Sequence, residues 1–225
     1  MKSGDLYLLA YNTVQYFGWG SILVSTALGL ANGRPFPELY ENVELQLKIF
    51  QTAAILEIVH SLVGLVRSPV FTTLVQVFSR VTVLWLILDT VETSRASVGV
   101  PMLLLAWSIT EVVRYSFYAL NLLNSVPYAL TWMRYTFFIA LYPMGAGGEV
   151  LTMIAALDEI ARRKHFTIEM PNSWNMSFNF YYVVIALCLI YLPGFPKLYG
   201  YMFVQRKKVL GGRGKNATEQ SKKVE

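Results

Sequence analysis

Tyr135, Tyr142 and Glu149 recur at intervals of seven in the run Arg134-Tyr135-Thr136-Phe137-Phe138-Ile139-Ala140-Leu141-Tyr142-Pro143-Met144-Gly145-Ala146-Gly147-Gly148-Glu149. On a helix this interval lines all three side chains along one face. A carboxyl group takes and returns a proton, and a phenol donates a hydrogen bond or a proton. An ideal helix leaves Tyr142 and Glu149 roughly 10 Å apart along its axis. Pro143, Gly145, Gly147 and Gly148 lie between or beside them, so the spacing predicts a kink there and open volume beside the two side chains, which is room for a substrate. The competing reading makes the glycines a close-packing seam, Tyr142 an interfacial anchor and Glu149 a buried hydrogen-bond partner. Tyr142 lies about halfway along its apolar run, too deep for an anchor.

Other ionisable residues fall inside apolar runs in pairs. Glu57 and His60 are three apart, Gln76 and Arg80 four apart, and Glu111 and Arg114 three apart, so each pair shares a helix face. A charge at mid-bilayer costs about 2.5–3.5 kcal/mol on insertion scales and must face a partner or a cavity. Mutual satisfaction through interhelical hydrogen bonds, worth about 1 kcal/mol each, is the plainer account of Glu57, Arg80, Glu111 and Arg114.

These residues need long apolar elements to carry them. The chain has 225 residues, of which 55% are hydrophobic and 15% charged; an average soluble domain has about 25% charged. Six runs reach spanning length, at 6–31, 45–66, 70–91, 98–122, 129–157 and 177–204. In hydrocarbon the backbone must satisfy its own hydrogen bonds, which makes each run a helix. The expectation is therefore an all-α polytopic bundle of six transmembrane helices over residues 1–204, followed by a disordered, basic tail over 205–225. Between the runs stand breakers such as Asn32-Gly33-Arg34-Pro35 and Ser125-Val126-Pro127.

The net charge of +5 collects after Gln205, in Arg206, Lys207, Lys208, Arg213, Lys215, Lys222 and Lys223. It belongs to a tail rather than a folded face, which argues against a nucleic-acid partner and for solvent or anionic lipid. The single cysteine, Cys188, closes no internal disulfide, and His60 and His165 are too few and too far apart for a histidine-based metal cage. No internal repeat is visible. An even number of spans puts both termini on one side, and the basic tail makes that side cytosolic, with Arg67 and Arg134 near it. Arg162, Arg163 and Lys164 then fall on the luminal side, partly offset by Asp158, Glu159 and Glu169. Lys222-Lys223-Val224-Glu225 resembles a dilysine retrieval signal, which implies the endoplasmic reticulum membrane. Of two glycosylation sequons, Asn175-Met176-Ser177 would be luminal and Asn216-Ala217-Thr218 cytosolic.

The run Leu141-Tyr142-Pro143-Met144-Gly145-Ala146-Gly147-Gly148-Glu149, with Arg134-Tyr135 before it, resembles the very-long-chain (3R)-3-hydroxyacyl-CoA dehydratases, the protein-tyrosine-phosphatase-like family, in its plant Pasticcino form. The likeness extends over essentially the whole chain. It implies that Tyr142 and Glu149 are the catalytic pair and that Glu57, Gln76, Arg80, Arg134 and Gly145 support the site, with Tyr135 beside Arg134. It further implies a very-long-chain 3-hydroxyacyl-CoA substrate, membrane lipid as surroundings, and the condensing enzyme, ketoacyl reductase and enoyl reductase of the elongation cycle as partners. Phosphatase chemistry has no support, since Cys188 is not followed by a Cys-x5-Arg loop. Dehydration takes one base and one acid, and no redox cofactor, in keeping with the lack of a Gly-rich dinucleotide motif. The rival classes are a small solute or ion transporter, which would carry intramembrane charges along a path, and a catalytically silent scaffold that binds acyl-CoA or partner proteins.

Overall fold

The structure is a computed structural model that describes residues 3–221 apart from 67, 172 and 174; the side chains of Thr72 and of residues 212–221 also lie outside the description. Among the described residues the elements are helical, with one isolated antiparallel bridge between Ile168 and Phe178. In chain order they are α1 (Ser3–Ala31), α2 (Phe36–Ala53), α3 (Ile55–Leu62), α4 (Val70–Thr82) continuing into a π-helical segment (Val83–Leu88), α5 (Glu92–Arg95), α6 (Gly99–Leu122), α7 (Tyr128–Arg134), α8 (Phe138–Arg163) and α9 (Phe180–Ser221). They assemble into six helical rods, because α2 with α3, α4 with its π segment, and α7 with α8 each form one. Each rod overlaps one of the six apolar runs.

Several local features depart from the run boundaries for identifiable reasons. The second rod starts at Phe36, because Pro35 caps it in extended conformation and Pro37 sits in the first turn, where a missing N–H is harmless. In the third rod Asp89 N–H bonds to Leu84 O, the wider hydrogen-bond spacing of a π turn. The fifth rod is interrupted at Tyr135–Phe137, not at the proline. Pro143 lies inside α8 and cannot donate to Ile139 O; the Tyr199 hydroxyl donates to that carbonyl instead, at 3.0 Å. The expectation of a disordered tail from 205 is corrected, since α9 runs on through Ser221. Arg206, Lys207, Lys208 and Leu210 are good helix formers that extend it. Arg67 and the dilysine-like residues 222–225 lie outside the described residues.

By length and apolar composition two stretches could cross a membrane, Tyr128–Arg163 and Phe180–Gly211, with Thr73–Leu88 a shorter apolar helix. The other rods carry polar side chains that point inward, among them Asn12, Gln15 and Thr26 on α1, Gln51 on α2, and Ser108 and Glu111 on α6, all buried. These lower the hydropathy of the rods while leaving their outer faces apolar: Phe17, Val24 and Leu28 on α1 are more than half exposed.

α6 runs through the centre, with α1 on one side and α8 on the other; α2 backs α1, and α9 packs mainly on α8. The α6–α8 contact is close because glycines meet there. A Cβ added to Gly148 would stand 2.8 Å from both Gly99 O and Leu103 N, and one added to Gly99 would stand 2.4 Å from Gly148 O. Gly145 faces the Ala106 methyl. These glycines are thus a packing seam against α6, and the expectation that they hold open volume beside Tyr142 and Glu149 is corrected. Gly147 meets only the tip of Met102, at an ordinary 3.6 Å.

Gly148→Ala must therefore push α6 and α8 apart and cost about 1–3 kcal/mol, while Gly147→Ala is tolerated. Thermal unfolding of the detergent-purified variants measures the difference.

Candidate active site

Glu149 is buried where α6, α8 and α9 meet, at 7% exposure. Trp107 Nε1 of α6 donates to its Oε1 at 2.8 Å, and the Tyr191 hydroxyl of α9 donates to its Oε2. Both carboxyl oxygens are thus held, by donors from two different helices. One level along α8, the Tyr142 ring stacks on Phe195 at 5.0 Å and on Tyr199 at 5.8 Å, both from α9. Tyr142 and Glu149 therefore turn toward the same neighbouring helix and lie within electrostatic range of each other. Among the described residues the Tyr142 hydroxyl has no hydrogen-bond partner.

A chain of charged groups approaches this site from the other side. Arg114 of α6 grips Glu57 of α3 through two hydrogen bonds of 2.7 and 2.9 Å, and its Nε donates to Glu111 at 2.7 Å. Glu111 in turn pairs with Arg80 of α4. Arg80 lies over the Trp107 ring, 5.8 Å from its centroid, and within electrostatic range of Glu149. The Tyr115 and Tyr11 hydroxyls also reach Glu57. The paired cations and anions alternate, so the buried Glu111 and its half-buried partners Glu57, Arg80 and Arg114 each have an opposite neighbour, which is the condition for tolerating them in an apolar interior. His60, one turn from Glu57 on α3, has its Nε2 2.9 Å from the Tyr7 hydroxyl and its ring edge-on to Tyr11.

The structure gathers some of the sequence candidates and separates others. Glu57 and Arg80 belong to the ion chain, and Gly145 sits one turn from both Tyr142 and Glu149 on the α6 seam. Gln76 is exposed, one turn from Arg80. Arg134 donates to the Tyr118 hydroxyl at 3.1 Å and lies over the rings of Phe117 and Tyr118, clamping α7 to the end of α6. Tyr135 sits in the joint between α7 and α8, so the seven-residue stripe is broken before Tyr142. Trp107, Tyr191, Phe195 and Tyr199 are the residues that sequence reasoning passed over. Their signal is a polar-tipped or aromatic side chain deep in an apolar run, where an indole N–H or a phenol needs a partner.

Residues 51–212 match the family described as Protein tyrosine phosphatase-like protein, PTPLA. The chain belongs to the PTPLA family. It is 59% identical to the very-long-chain (3R)-3-hydroxyacyl-CoA dehydratase hpo-8 of Caenorhabditis elegans, over 95% of this chain and 98% of that protein. Identity to the human very-long-chain (3R)-3-hydroxyacyl-CoA dehydratase 2 is 42%, over 97% of this chain and 84% of that protein. Identity to the rice relative PASTICCINO 2A, of the same description, is also 42%, over 91% of this chain and 93% of that protein. No solved structure matches the chain.

In this PTPLA chain Glu111, 1% exposed, is the anion shared by Arg80 and Arg114. Removing one partner of a buried charge group strands the other and costs about 3–5 kcal/mol. Glu111→Leu is therefore expected to lower the unfolding midpoint more than Gln76→Leu, whose side chain is exposed. Thermal denaturation in detergent compares the two.

Proposed function

We propose that this protein dehydrates very-long-chain 3-hydroxyacyl-CoA to the trans-2-enoyl-CoA, the third step of fatty-acid elongation, with Glu149 and Tyr142 as base and acid. The reading is supported by one geometric observation above the others: the two groups turn to the same neighbouring helix, with Glu149 buried and the Tyr142 hydroxyl without a hydrogen-bond partner among the described residues. Relatives that carry the dehydratase description along nearly their full length support the substrate and the reaction class.

The chemistry balances with these two residues. Glu149 accepts the C2 proton, and the C–H electron pair becomes the C2–C3 π bond. The C3–O bond breaks, and the leaving hydroxyl takes the Tyr142 proton and departs as water. Transfer of the proton from Glu149 back to the Tyr142 phenolate restores the starting state. The site lies among apolar helices because its substrate is mostly hydrocarbon, favoured there by about 0.8 kcal/mol per buried methylene.

The reading places all six rods across the endoplasmic reticulum membrane with both termini in the cytosol, beside the condensing enzyme and the two reductases that share its intermediates. Large exposed apolar side chains on the outer faces of α1, α4 and α9, such as Phe17, Phe71 and Leu192, support the membrane placement. At the opposite end Arg162 pairs with Asp158, Arg163 with Glu159, and Lys164 with Glu169. Those pairings compensate the luminal cations that compete with the basic end of α9 in setting orientation.

Tyr142→Phe and Glu149→Gln are each expected to lower dehydration of a C20-range 3-hydroxyacyl-CoA by about 10²-fold or more, the upper part of what a positioned acid or base contributes. Turnover by the purified, folded variants is followed by mass spectrometry. Activity near wild type in both variants overturns the assignment.

A further inference from the structure

The acid–base pair leaves unexplained the two groups that hold Glu149. Each carboxylate oxygen has two lone pairs. With one donor on Oε1 from Trp107 and one on Oε2 from Tyr191, each oxygen keeps a lone pair for an incoming proton. Because the donors come from α6 and α9, they fix the plane of the carboxyl group as well as its direction. Trp107 is 2% exposed and lies beneath Arg80, so its half of the grip is built into the core. Tyr191 differs in its helix. Tyr191, Phe195 and Tyr199 stand four apart on α9 and form one stripe against α8. That stripe touches Glu149 with its first member and Tyr142 with the other two.

We propose that Tyr191 is a positioning residue for the dehydration: its hydroxyl holds the Glu149 carboxylate aimed at substrate C2, and its stripe on α9 sets that carboxylate in register with Tyr142. Tyr191 keeps its own proton throughout; the C2 proton goes to Glu149 and the leaving hydroxyl takes the Tyr142 proton, as above. The inference rests on the reading that Glu149 is the base. It assigns the α9 phenol a role that neither binding of the acyl chain nor packing of the helix would require.

The test is Tyr191→Phe in the full-length, detergent-purified protein, with Tyr182→Phe as a control on an exposed phenol of the same helix. The expected result is a fall in kcat of about 10- to 100-fold with KM within about twofold, as for a misaimed catalytic group. The kinetic isotope effect with substrate deuterated at C2 should rise, because proton abstraction becomes more fully rate-limiting. Tyr182→Phe should match wild type. A wild-type kcat in Tyr191→Phe, a change confined to KM, or a fall in kcat with no rise in the isotope effect overturns the inference. The isotope effect is read only on the folded fraction, so partial misfolding does not imitate the result. If Glu149→Gln still turns over substrate, the reading of the base fails as well. If Glu149→Gln is inert while Tyr191→Phe is normal, only the role of Tyr191 fails.

Discussion

A carboxyl group buried among apolar helices is the constraint on which the rest of the structure depends. Left without donors, the Glu149 carboxylate would cost several kcal/mol in an interior of this kind. Its donors, Trp107 and Tyr191, sit on two helices that approach α8 from different sides. Satisfying one side chain therefore fixes how three helices dock. α6 can bring Trp107 close enough only because Gly99, Gly145 and Gly148 let the backbones of α6 and α8 nearly touch. α9 brings Tyr191 close only with Phe195 and Tyr199 stacked along Tyr142. Packing and chemistry are here the same geometric problem, solved by glycines on one side and aromatic rings on the other.

The ion chain extends this constraint outward. Glu57, Arg114, Glu111 and Arg80 join α3, α6 and α4, and Arg80 ends over Trp107. Each member is expensive to strand, so a helix that slipped by one turn would leave at least one charge unpaired. Hydrophobic contact alone specifies register poorly between apolar helices surrounded by lipid, because the lipid is as apolar as the partner. Alternating charges specify it well. The Tyr199 bond to Ile139 O has the same character on a smaller scale, since it satisfies the carbonyl that Pro143 leaves open and so pins α9 to α8 at one level.

The order of the helical rods was legible in the sequence, because an apolar run of about 20 residues has few alternatives to a helix, but their ends were not: the second rod starts at Phe36, ahead of its run, and α9 runs on to Ser221. The breaks at Ala54 and Tyr135–Phe137 and the π segment were not, because they arise from tertiary contacts that intrinsic propensity does not encode. The period of seven brought out Tyr142 and Glu149, and the structure gives both the same neighbour. It could not say which of two adjacent faces the glycines serve, and they serve α6. With 14 tyrosines and 5 tryptophans in the chain, neither Trp107 nor Tyr191 stood out by type. Only the need of a deep N–H or O–H for an acceptor would have singled them out, and that need names no partner. Gln76, grouped by spacing with Arg80, is exposed, while Arg80 pairs with the buried Glu111.

α9 leans mainly on α8 and leaves large apolar side chains exposed, as at Leu189, Ile190 and Leu192. The groups facing α9 are consequently one helix away from the bundle's edge. On the proposed reading this placement follows from the substrate, a molecule with one polar reacting end and a long hydrocarbon chain dissolved in the bilayer. A site at the centre of the bundle would have to open a path through the ion chain to admit that hydrocarbon, breaking charge pairs on the way. A site beneath a peripheral helix needs only apolar contacts to part, and lipid-like chain can replace them at little cost. The same peripheral helix bonds Glu149 through Tyr191 and stacks on Tyr142 through Phe195 and Tyr199, so on that reading entry of substrate and alignment of the acid–base pair would be governed by one element.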